Sequence, residues 1–87
     1  MKIQVTQDNI DHGLRASCTS DPVALALKDL DFIHPYVSPS QIRVNGRRGV
    51  YFDKRVPTPP EVLEFLERFD NSDPAAVPFE FEFSYEK

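Results

Sequence analysis

Pro78-Phe79-Glu80-Phe81-Glu82-Phe83-Ser84-Tyr85-Glu86 alternates without a break, aromatic on one side and polar on the other. A period of two residues belongs to a β-strand, whose successive side chains point to opposite faces. The stretch therefore predicts a strand with Phe79, Phe81, Phe83 and Tyr85 on the core face and Glu80 and Glu82 toward water. A face that apolar needs a cover, and the residues just upstream supply one. Val62, Phe65, Leu66 and Phe69 fall at i, i+3, i+4 and i+7, with Glu64 and Arg68 placed to pair on the outside. Thr58-Pro59-Pro60-Glu61 ahead of them reads as a capping box with proline at the first helical position. Turn-forming residues at 71–76 separate this helix from the strand.

Further upstream, residues 41–53 read as a hairpin. Asn45-Gly46 suggests a two-residue turn, but that register throws Ile42 and Val44 to one face and Val50 and Phe52 to the other. A common core face needs a longer loop. The five-residue version pairs Val44 with Val50 and Ile42 with Phe52, and leaves Asn45-Gly46-Arg47-Arg48-Gly49 as an exposed tip. Residues 32–40 contain Pro35 and Pro39 and allow only a short or irregular strand. Asp21-Pro22 opens a helix over 22–30, with Asp21 as N-cap and Val23, Leu27 and Leu30 on one side. At the N-terminus, Ile3 and Val5 alternate in a short strand over 2–6. Residues after Thr6 make one helical turn closed by Gly13 in a left-handed conformation.

The order is β-α-β-β-α-β plus that extra turn. It predicts an α+β two-layer sandwich, a mostly antiparallel four-stranded sheet with two helices on one face, and ferredoxin-like topology as the leading arrangement. Residues 1–87 form a single domain, since a chain of 87 residues buries only about 60–65% of its unfolded surface and supports one thin core. One cysteine, Cys18, permits no internal disulfide, and no apolar run is long enough for a signal peptide or membrane span. The expected setting is the cytoplasm, away from membranes.

A net charge of -4 argues against general nucleic-acid binding, which draws on many Lys and Arg contacts to phosphate. The charge is polarised along the chain, however. Residues 42–55 hold Arg43, Arg47, Arg48, Lys54 and Arg55 against Asp53 alone, while residues 61–87 are strongly acidic. Arginines in a glycine-flanked turn offer forked donors to phosphate or carboxylate. Arg43, Arg47, Arg48 and Arg55 are therefore the candidate ligand-binding residues, and a solvated basic tip is the alternative. His12, His34 and Cys18 have no spacing that belongs to a metal module, and Cys18 has no evident base beside it. No phosphate loop, nucleophile elbow or zinc-protease motif occurs, so the expectation is a non-enzyme with no metal and no cofactor.

Val5-Thr6, Ile10, Gly13, Cys18, Pro22-Val23-Ala24-Leu25-Ala26-Leu27, Phe69-Asp70 and Pro78-Phe79-Glu80-Phe81 carry a resemblance. Together they resemble a family of short uncharacterised proteins found in bacteriophages and bacteria, which open on V-T, an Ile-containing turn, a Gly and C-x-x-C-P-V-A-L-A-L, and close on Pro-Phe-x-Phe. The match covers both ends and not the middle, and Asp21 stands where the second Cys of the motif would be. A dithiol or metal role is thus not carried over. The resemblance implies a phage or mobile-element setting, where small acidic domains act in counter-defence. Two readings of function follow. One is a non-catalytic protein that sequesters a small phosphorylated nucleotide signal in the host cytoplasm. The other is an inhibitor that docks on a host or defence protein through an acidic surface. Either is compatible with a homo-oligomer.

Overall fold

The computed structural model describes residues 1–84. In chain order the elements are β1 (Lys2–Val5), α1 (Gln7–His12), α2 (Pro22–Asp29), β2 (Tyr36–Val37), β3 (Gln41–Arg47), β4 (Val50–Pro57), α3 (Pro60–Asp70) and β5 (Phe79–Glu82). The α+β class and the antiparallel pairing follow the sequence reading. The single four-stranded sheet does not: the strands divide into β1-β5 and β2-β3-β4. A ferredoxin-like order contains the β1–β5 ladder and the central hairpin, but no ladder joins the two sheets among the described residues.

One core serves both sheets. Ile3 and Val5 of β1, Val23 and Leu27 of α2, Ile42 and Val44 of β3, Val62 and Phe65 of α3, and Phe81 and Phe83 all lie in it. Aromatic contacts tie the layers. Phe65 of α3 stacks on Phe79 at 4.7 Å between ring centres, and Phe32 meets Phe83 edge-on at 5.5 Å. The alternation that predicted the last strand holds through Phe83, with Phe79 half-buried and Phe81 and Phe83 buried. Tyr85 lies outside the described residues. β5 runs against β1 with Ile3 opposite Phe81 and Val5 opposite Phe79, so the apolar sets share one side.

Three local expectations are corrected. Gly13 is not left-handed: it sits at φ -71, ψ 151 as the chain leaves α1. Its glycine character serves close packing instead, since a Cβ there would fall 2.6 Å from the Pro22 ring. Thr58 does not cap α3. Proline at 60 holds Pro59 extended, at φ -63 and ψ 150, so the helix starts one residue later with Pro59 as N-cap and no side-chain cap bond. Buried Thr58 turns away and donates from Oγ1 to the Ser38 carbonyl at 2.6 Å.

The hairpin is the third. Its turn is Arg48-Gly49, with φ 51 and 81, and the register sets Arg47 against Val50, Val44 against Lys54 and Ile42 against Val56. The five-residue tip is absent because Asn45 and Gly46 lie inside β3. Gly46, at φ 144, faces the β4 backbone closely, and a Cβ there would meet the Val50 carbonyl oxygen at 2.2 Å. The register slips between Val44 and Gly46, so that Phe52 and Asp53 together face Asn45. With that bulge, Val50 is left 65% exposed, outside the core it was expected to join.

Candidate anion site on the three-stranded sheet

On β3, Ile42 and Val44 are buried while Arg43 between them is half-buried on the opposite face. The ladder places Tyr36 of β2 beside Arg43 on one side and Arg55 of β4 beside it on the other. Tyr36, Arg43 and Arg55 thus form one lateral row across three strands, on the face away from the core. The Arg43 guanidinium carbon lies 5.2 Å from the centre of the Tyr36 ring, within cation–π range. Its Nε is buried with no hydrogen-bond partner. Arg55 is exposed and pairs with Asp53 at 3.4 Å.

Two arginines directly opposite each other on one sheet face repel, and such like-charge pairs weaken a sheet. Asp53 offsets this from the Arg55 side, while the aromatic face of Tyr36 favours the Arg43 cation. An anion lying across the pair would relieve the remaining repulsion and accept from both forks.

The row ends against Cys18. The Val37 N–H donates to the Cys18 carbonyl at 2.7 Å. The neighbouring Cys18 thiol raises the Tyr36 pKa above the usual phenol value, with Arg43 acting in the opposite direction. Cys18 also lines a small cavity of about 220 Å³ with Asp21, Asp70 and Leu66. Asp21 caps α2 by accepting from the Ala24 N–H at 2.7 Å, yet it is buried. Burial pushes its carboxyl up to about 7, although the Ala24 and Val23 N–H groups favour the ionised form.

The other two predicted arginines are engaged elsewhere. Arg47 donates from Nε to the Leu30 carbonyl at 3.0 Å, and its guanidinium lies 5.0 Å from the Phe32 ring centre. Arg48 stands at the turn, where its side chain is 3.5 Å from Asp31 and its N–H bonds the Asp31 carbonyl. The structure therefore brings Arg43 and Arg55 together and holds Arg47 and Arg48 against residues 30–32. Tyr36 was missed by sequence reasoning, because only the ladder register reveals its place beside Arg43.

The acidic strand face is partly neutralised: Glu80 lies 3.5 Å from Lys2, and Glu82 lies 3.2 Å from the N-terminal amine. His12 and His34 are exposed, His12 at the end of α1 and His34 in the link to β2. Among the described residues no helix is long and apolar enough to cross a membrane, and no group of three or more His, Cys, Asp and Glu side chains could hold a metal. Compared with protein-family models, curated proteins and solved structures, the chain matches none.

Proposed function

We propose that this chain is a non-catalytic binding domain that takes up a small phosphorylated ligand of nucleotide type on its three-stranded sheet. The observation that supports this most is the Tyr36–Arg43–Arg55 row, two opposed guanidinium groups on an outward face with one buried Nε lacking a partner. The ligand's phosphate would lie across Arg43 and Arg55, which form its forked donors. Sequestration of a signal nucleotide in a counter-defence setting is part of the proposal and rests on the resemblance in the sequence. The inhibitor reading has less in its favour, because Glu80 already has Lys2 beside it and Glu82 the N-terminal amine.

Calorimetric titration with inorganic phosphate, AMP, ADP-ribose and cyclic dinucleotides tests the reading. A charge-assisted hydrogen bond contributes about 1.5–3 kcal/mol, so Arg43→Ala and Arg55→Ala should each weaken the best ligand roughly ten- to hundredfold. Asp53→Asn should strengthen it, since the carboxylate competes for Arg55. Cys18→Ser should bind like the parent. Unchanged affinity in the Arg43→Ala/Arg55→Ala double variant would remove the row as the site. If Arg47→Ala/Arg48→Ala alone lost the ligand, the turn would be the anion site instead.

A further inference from the structure

A cavity of about 710 Å³ lies between the segment that leaves α1 and the one that leaves α3, with Ile10, Leu14 and Arg15 on one wall and Phe69, Ser72 and Asp73 on the other. Binding sites for small molecules run at roughly 300–1,000 Å³ and are mostly apolar, with a few polar groups set among them. Ile10 and Phe69 give this cavity an apolar lining continuous with the core, and Leu14, 60% exposed, extends it at the rim. Two bonds clamp the walls together. Arg15 donates to the Ser72 hydroxyl, and the Ala16 N–H donates to the Asp70 carboxylate at 3.1 Å. Each wall also keeps one residue in the left-handed region, Ala16 at φ 57 and Ser72 at φ 56, where residues other than glycine are uncommon.

Opposite charges share this cavity without meeting. Arg15 bonds Ser72, the chain neighbour of Asp73, yet among the described residues no ion pair joins either Arg15 or Asp73 to another side chain. Asp73 uses one carboxylate oxygen to accept from the Ala75 N–H at 2.8 Å, and Arg15 gives one N–H of its fork to a neutral hydroxyl. From this pairing of charges beside an apolar lining we infer that the cavity takes a free apolar α-amino acid, of about the size of leucine or phenylalanine. Its carboxylate accepts from the Arg15 fork, its ammonium donates to Asp73, and its side chain lies on Ile10, Leu14 and Phe69. The ammonium also stands at the C-terminal end of α3, where the helix dipole favours positive charge. A simple anion would be repelled by Asp73 and a simple cation by Arg15, so the two charges together select a zwitterion. The site shares no residue with the Tyr36–Arg43–Arg55 row and takes a ligand of different chemistry.

The test titrates L-leucine into the isotopically labelled protein, beside isoamylamine, which lacks its carboxylate, isocaproate, which lacks its ammonium, and free glycine, which lacks its side chain. Amide shifts should fall on residues 10–16 and 69–76, and L-leucine should bind roughly tenfold more tightly than any of the three. Arg15→Gln keeps a donor for Ser72, and Asp73→Asn keeps an oxygen for the Ala75 N–H. Both side chains are exposed, so each variant should melt like the parent while binding L-leucine about tenfold more weakly. The Arg43→Ala/Arg55→Ala variant should bind L-leucine unchanged. The inference is overturned if neither L-leucine nor L-phenylalanine shifts these amides, or if isoamylamine or isocaproate binds as well as L-leucine. Unchanged affinity in an Arg15→Gln/Asp73→Asn double variant overturns it too.

Discussion

Asp21 holds two conflicting positions at once, as cap and as buried acid. Its oxygen satisfies the Ala24 N–H, which stabilises α2, but burial disfavours the charged carboxylate and raises its pKa from 3.8 to about 7. A carboxyl whose pKa rises on folding is favoured in its protonated form by the folded state. Its contribution is whole below about pH 4 and is lost as pH rises through about 7, a change on the order of a few kcal/mol. Asp21→Asn keeps an oxygen at the cap and has no charge to bury. The variant should therefore gain on the parent as pH rises from 4 to 8, and urea denaturation at both values measures the difference. Parallel stability in the two proteins across that range would show that Asp21 folds with its ordinary pKa.

At the scale of elements, the hairpin depends on Gly46. Alanine there would need φ 144 and a Cβ 2.2 Å from the Val50 carbonyl, so β3 and β4 would have to part. Gly46→Ala should cost more than about 2 kcal/mol, well beyond an ordinary strand substitution, and thermal unfolding measures it. This is also where sequence reasoning lost the register. The five-residue tip put Val50 and Phe52 on the core face with Val44 and Ile42, but the bulge opposite Asn45 lets β3 run on through Gly46, moves the turn to Arg48-Gly49 and leaves Val50 in solvent. Periodic elements were far more legible. The stripe Val62, Phe65, Leu66 and Phe69 and the alternation through Phe83 both gave the buried side correctly, because burial of one face imposes the period directly. Of the four candidate arginines, Arg43 and Arg55 are cross-strand neighbours only in the observed register, so their meeting could not be read before it.

For the whole molecule, the point of interest is that two separate sheets depend on one core. Phe81 is buried against β1, while Phe83, two residues on, meets Phe32 beside the other sheet. Phe81→Ala should cost roughly 3–5 kcal/mol through the cavity it leaves. If the core is a single cooperative unit, hydrogen exchange should quicken in both sheets together. Loss of protection in β1 and β5 alone, with the hairpin unaffected, would mean that the sheets open independently. The β1–β5 ladder has a further consequence, for the order of folding. It joins Lys2 to Glu82, so closing it must bring together residues from nearly opposite ends of the sequence. The β3–β4 hairpin closes over a turn of two residues and pays almost no such entropy. Local pairing of this kind forms within microseconds, whereas distant pairing waits for the intervening chain to be ordered. Ile3 and Val5 therefore remain without their strand partner until Phe79 and Phe81, far along the chain, have been made, and β1 is among the last elements to find its place.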